Sequence, residues 1–234
     1  MFWPLQRFTL VSSLMALPLG AAAVEPVKHI AIYVQPYYDA AKTPGGTPRV
    51  AVAKKYDQLL SSNKTADIVA ARDQILVEAQ RLTPMTLMVL AIRLYDLGLR
   101  DDSVFWFYAA KNRYVTVEEV LDLRSPALQQ VEQATRDFAT LAGPVINGYA
   151  FCDVKKQQAA QKKALEWVEK NPYEALFMPQ VPARPGDRQA NLKSALEKLR
   201  KSVQQEAQYL ADHENLARLA TTRQENGADK KFCW

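Results

Sequence analysis

The chain is predicted to be all-α, built of antiparallel helical hairpins in a bundle and preceded by a short extended segment. Three observations predict this. Apolar residues recur at three- and four-residue spacing from Val50 almost to the C-terminus, the period of an amphipathic helix. Helix starts are written as Thr83-Pro84 and Ser125-Pro126, and stops as Gly98, Gly143-Pro144 and Asn171-Pro172. The segments between these signals are short, which pairs successive helices antiparallel.

The first 23 residues stand apart. Arg7 supplies a positive charge, residues 8–19 form an apolar run, and Ala21-Ala22-Ala23 offers a small-x-small cut site. That is the layout of a secretory signal peptide. A run of 12 residues is short of the roughly 20 that a membrane span needs. It therefore reads as a removable address, with no stable membrane anchor, and the localisation expected is periplasmic. Residues 24–234 are then a single helical domain, long enough to bury a core without staples.

After the cut, residues 29–34 (His-Ile-Ala-Ile-Tyr-Val) read as a strand or extended segment ended by Pro36, and residues 43–48 as a loop. A helix over residues 50–61 carries Val50, Ala53, Tyr56, Leu59 and Leu60 at helical spacing, and another over 66–82 takes Thr65 as N-cap. Residues 84–97 form an unusually apolar, buried helix, capped by Thr83 and ended by Gly98 in a left-handed turn. Asp101 or Asp102 caps the next helix, which runs to about Arg113. Ser125-Pro126 opens a helix to Ala142. Asp153 opens one that ends at Asn171-Pro172, residues 181–187 are a loop, and a last helical stretch starts near Arg188. That stretch either reaches Thr221 unbroken or bends near Asp212-His213.

The formal net charge is +5 and falls to +4 with Arg7 gone, too weak to point to nucleic acid. Residues 153–201 hold 11 basic and 6 acidic residues, with Lys155, Lys156, Lys162 and Lys163 on predicted helix. They are either a solvated face or a docking surface for an acidic partner or anionic headgroups. The two cysteines, Cys152 and Cys233, read as a disulfide in an oxidising compartment, or else as two buried thiols.

No chemistry is legible. His29 and His213 are the only histidines, and neither has partners at recognised metal spacing. There is no G-x-S-x-G elbow and no glycine-rich phosphate loop. Asp101-Asp102 and Glu118-Glu119 are adjacent pairs, and neighbours on a helix diverge by about 100°. The expectation is no catalytic residue, no metal, no cofactor and no enzyme. Partner-binding candidates are Tyr108, the last residue of the aromatic run Phe105-Trp106-Phe107-Tyr108, with Arg113 and Tyr114 further along, and the pair Tyr37-Tyr38. Tyr and Arg are favoured interface anchors, and the competing reading of the aromatic run is burial between helices.

Residues 90–110 describe a tight hairpin. Gly98 makes the turn, an Asp follows, an aromatic stands at Phe105, and Ala109-Ala110 allow close approach. This hairpin resembles one Sel1-like or tetratricopeptide-like unit, with Trp106 one residue out of that pattern's register and no second copy in the chain. The mature chain also resembles exported Gram-negative helical proteins that include periplasmic immunity proteins of type VI secretion effectors. The resemblance implies a protein partner, and specifically a toxic effector bound directly. The alternatives are a periplasmic scaffold or adaptor, and a hydrolase with an unrecognised site.

Overall fold

The computed structural model describes residues 24–35, 49–51 and 54–234. The expected signal peptide, the 43–48 loop, Pro36, Tyr37 and Tyr38 lie outside the described residues. The fold is all-α. Helices α1 (Lys54–Leu60), α2 (Thr65–Val77), α3 (Pro84–Asp96), α4 (Arg100–Val120), α5 (Gln129–Ala150), α6 (Val154–Lys170), α7 (Arg188–Ala211), α8 (His213–Glu225) and α9 (Ala228–Phe232) follow in chain order. Short 3₁₀ turns occupy Ala79–Arg81 and Glu174–Phe177. The extended segment is real but displaced. Strand β1 (Tyr33–Gln35) pairs in parallel with β2 (Arg49–Ala51), in the register Tyr33 to Arg49. Val50, expected on a helix, is thus in this ladder, and α1 starts later than the spacing predicts.

The hairpin α3–α4 is the centre. Of the 13 residues of α3, 11 are buried, as an apolar helix on all sides requires. Thr83 caps it, its Oγ1 accepting the Thr86 N–H at 3.0 Å, with Pro84 at the first helical position. Gly98 ends it at φ 81°. The Gly98 N–H donates to Tyr95 O at 3.0 Å and the Leu99 N–H to Leu94 O at 2.8 Å, the two reciprocal bonds of a Schellman cap. Across the turn, Ser103 Oγ donates to Ala91 O at 2.7 Å, and Ala109 and Ala110 are buried. The small residues let the two backbones approach.

Several expected boundaries move, each for a physical reason. Thr65 is the first residue of α2 and Lys64 its cap. Neither Asp101 nor Asp102 caps α4. The cap is Leu99, and both acids sit in the first turn, where they favour the helix dipole. Helix α4 does not stop at Arg113. Its last two turns bury Val117 and Val120 in a second apolar cluster with Leu121, Leu123, Leu176 and Leu192. Helix α5 starts at Gln129 and continues through Gly143-Pro144 to Ala150. Pro144 removes one N–H, but Thr140 and Pro144 both lie on the exposed face of the helix, where a missing backbone bond costs least. Asp153 does cap α6, accepting the Lys156 N–H at 3.1 Å, and Asn171 is its C-cap. The last stretch breaks at Asp212, whose Oδ1 accepts the Glu214 and Asn215 N–H groups.

Both chain ends of the described fold are fastened. Cys152 and Cys233 are disulfide-bonded, with Cα atoms 5.5 Å apart. The Val27 N–H donates to Lys231 O at 2.8 Å, and Tyr95 OH donates to Val27 O at 2.9 Å. The Asp96 carboxylate accepts the N–H groups of Ile30 and Ala31, which hold Ala31 at φ 59°.

Candidate interaction surface

Tyr108 and Arg113 are not surface anchors. Tyr108 is 4% exposed. Its hydroxyl donates to Asn147 Oδ1 at 3.1 Å and accepts from Gln157 Nε2 at 3.0 Å, which also donates to Glu206 at 2.8 Å. Burial pushes the phenol up to about 12. Arg113 is 1% exposed. Its Nη1 donates to Ala79 O at 2.6 Å and Leu82 O at 2.9 Å, and its Nη2 to Asn171 O at 2.6 Å. The guanidinium lies 4.6 Å from the Trp167 ring centroid. Burial lowers its pKa to about 10. It faces the C-cap of α6, where a cation is favoured by the helix dipole. Both expectations are therefore corrected, because these side chains tie α4 to its neighbours and offer nothing to a partner.

Tyr114 is different. It is half-buried and lines an apolar groove between α3, α4 and α5 with Met85, Met88, Val115, Phe138 and Ala139. The groove is about 170 Å³ in volume, with Lys111 and Arg136 on its wall. Arg136 is also paired with Glu132 along α5. The size suits one or two apolar side chains, and methionine lets such a wall adapt its shape.

A larger groove, about 570 Å³, runs beside the disulfide and is lined by Asp101, Tyr149, Asp153, Lys156, Gln157 and the two cysteines among others. Asp101 accepts from Tyr149 OH at 2.8 Å and from Lys156 Nζ at 3.3 Å, and these two bonds hold its carboxyl below the usual range. Tyr149 rises to about 12 through burial and this same carboxylate. The adjacent acid Asp102 points to Arg72 instead, at 2.7 Å, so the Asp pair diverges. Glu119 bonds Lys198. His29 Nδ1 lies 3.2 Å from Asp96 O, and His213 opens α8. Among the described residues no group of three His, Cys, Asp or Glu is placed to hold a metal ion.

Over 224 residues, the chain is 37% identical to an uncharacterized protein of Haemophilus influenzae, an alignment that spans 96% of this chain and 86% of that one. The chain belongs to that protein's family. No family model matches it, and no solved structure does.

Sequence reasoning missed the buried arginines. Arg93 is 7% exposed, and its Nε donates to Leu60 O at 3.0 Å and its Nη2 to Ser62 O at 2.8 Å, closing the C-terminus of α1. Arg223 is 8% exposed and reaches Gly148 O, Asp229 and the Cys233 sulfur. The only trace of Arg93 in the sequence is its place inside a run of apolar residues, where a surface cation would not stand.

Proposed function

We propose that this chain is an exported protein-binding protein of the periplasm, and specifically an immunity protein that neutralises a toxic effector by direct binding. The observation that carries the binding part is the Tyr114 groove, an apolar slot on the rigid α3–α4–α5 wall with cations beside it. A partner helix presenting an apolar side chain to Met85, Met88 and Phe138, and a carboxylate to Lys111, would fit it. The disulfide supports export weakly, since such bonds persist in oxidising compartments. The effector part rests on the family resemblance of the α3–α4 hairpin and of the mature chain. The mechanism needs no covalent step, since occlusion over about 800 Å² per partner suffices.

The test is affinity purification of the tagged chain from a periplasmic extract, followed by mass spectrometry, with a deletion strain beside it. The deletion should sensitise cells to sibling attack. A copy with its first 23 residues should rescue them, and a copy lacking those residues should not. Normal resistance in the deletion strain, together with recovery of an envelope assembly complex, would replace this reading with that of a scaffold or adaptor.

A further inference from the structure

The solvent face of α6 is a rail of lysines, and we propose that it is an electrostatic docking strip for an acidic segment of a protein partner. This rests on the binding reading above and names the chemistry of the partner.

Seven positions of α6 lie on one arc of about 120° at 100° per residue. They are Lys155, Lys156, Ala159, Lys162, Lys163, Glu166 and Lys170, and all seven are exposed. The first and last are about 22 Å apart along the axis at 1.5 Å per residue. Lys156 is the one lysine of the five paired with an acid among the described residues, at 3.3 Å from Asp101. Lys163 lies 5.1 Å from the Phe105 ring centroid, so its stem is steadied and its charge is unspent. Glu166 is the one carboxylate inside the arc. Glu169, at its edge, is taken by Arg200 at 2.7 Å, so it does not dilute the strip.

The rail is rigid. Asp153 caps its start, and Arg113 holds the carbonyl of its C-cap, Asn171. Its other face is committed, because Ala164, Leu165 and Val168 are buried. That burial favours a protein over an inserted contact with a membrane. A helix that lies on a bilayer needs an apolar face to insert, and α6 has none to spare. Five lysines held at fixed spacing suit an acidic helix or extended acidic segment, where several carboxylates engage together. The charge is also local. Helix α6 alone holds five lysines against two glutamates, an excess of three positive charges in a mature chain whose net charge is +4, so general solubility does not explain its placement.

The test uses the full mature, disulfide-bonded chain. A poly-L-glutamate peptide is titrated into the isotope-labelled protein and the amide shifts are followed, with phosphatidylglycerol vesicles in a parallel series. The expected result is a set of shifts confined to residues 155–170 and their α7 neighbours, with binding that weakens as salt rises. The variant K155Q/K162Q/K163Q/K170Q should weaken it by about tenfold, as four modest exposed charge contacts predict. All four side chains are exposed, so the variant should keep the wild-type circular dichroism. K28Q/K64Q/K230Q/K231Q, an equal charge change off α6 and α7, should leave binding unchanged. Shifts spread over all basic surfaces, or equal weakening by both variants, would overturn the proposal. Vesicle binding through the same lysines without peptide binding would also overturn it, in favour of a lipid surface. No natural partner enters this test, so the strip and the binding reading fail independently.

Discussion

The α3–α4 hairpin and the C-terminal clasp solve the same problem by opposite means. The hairpin buries 11 of the 13 residues of α3 and needs no cross-link. Helix α9 has five residues and buries only Ala228, and an isolated helix that short does not form in water. What holds it is a set of point fastenings. Cys233 is bonded to Cys152. Phe232 lies on Gly148, where a Cβ would sit 2.5 Å from the ring. Arg223 bonds Asp229 at 2.8 Å, and the Arg100 guanidinium stacks 3.6 Å from the Trp234 ring centroid. The clasp in turn holds the segment after the expected cut site, through Val27 and Lys231. Where apolar area is available, packing suffices. Where it is not, the chain uses covalent and polar staples.

The largest test of this contrast is removal of the disulfide. The bond closes a loop with a sequence separation of 81, and the loop-entropy model gives about 4–5 kcal/mol for it. The double substitution C152S/C233S should lower the urea midpoint accordingly. Hydrogen exchange should rise first in α9 and in residues 24–32, with α3 still protected. Equal loss of protection in α3 would show that the two regions are one cooperative unit and that the contrast is false.

Leu90→Ala cuts the other way. Leu90 has no exposed surface, and a cavity there costs about 2–5 kcal/mol. The whole molecule should lose stability, α3 included, and the disulfide should not rescue it. Unfolding followed by tryptophan fluorescence in oxidised and reduced protein would separate the two effects.

Arg113→Leu sharpens the comparison from within the core. The leucine fills much of the space but leaves the carbonyls of Ala79, Leu82 and Asn171 without their donor, at about 1–3 kcal/mol for a buried group. Arg113→Lys should recover little, since one ammonium cannot reproduce the guanidinium fork. Thermal unfolding of both variants checks this. Wild-type stability in R113L would remove Arg113 from the list of staples.

These regions also differ in how far the sequence discloses them. The α3–α4 turn was legible because each of its signals is local: Thr83-Pro84 at one end, Gly98 at the other, and a mostly apolar run between. The start of α6 at Asp153 was legible for the same reason, whereas the cap at Asp187, whose Oδ1 accepts the Ala190 N–H at 2.8 Å, was read only as the end of a loop. The cysteine pair was legible by its even count. The end of α4 was not, because what prolongs it is Leu176 and Leu192, more than 50 residues further on. Pro144 misled because a proline's cost depends on which carbonyl it orphans, and that carbonyl lies on the exposed face of the helix. Tyr108 and Arg113 misled because interface anchors and buried staples share residue types. Only burial tells them apart, and burial is a property of the assembled helices.

Raised pH should strain the core more than the clasp. Burial raises the phenols of Tyr56, Tyr95, Tyr108, Tyr114, Tyr149 and Tyr173 above the ordinary value of 10.0. A phenol with a raised folded pKa stabilises fully below its unfolded value, and loses that contribution as pH rises through the folded one. Arg113 and Lys111 work with the opposite sign, since their folded pKa values are the lower, but they are two groups against six. Stability should hold to pH 10 and fall from there toward 12. Tyrosinate absorbance from these buried rings should rise together with unfolding in a single transition. Tyrosinate formation without unfolding would show that the rings are reached in the native state.

The smallest stability effect belongs to the residue with the largest proposed functional one. Tyr114 is half-buried at the mouth of the groove, and the structure gives its hydroxyl no partner that a truncation would orphan among the described residues. Tyr114→Ala removes an aromatic wall that already borders open space, so little cavity is left behind. A loss of about 1 kcal/mol in folding is expected, against the 2–5 of a fully enclosed large side chain. As an anchor in the groove, the same ring should cost more than about 1 kcal/mol in partner binding when truncated. Paired measurements of urea midpoint and partner affinity on the one variant decide it. A ring that matters to folding and not to binding belongs with Tyr108 and Arg113 as a staple. A ring that matters to binding and not to folding marks the groove as the surface where the molecule meets its partner.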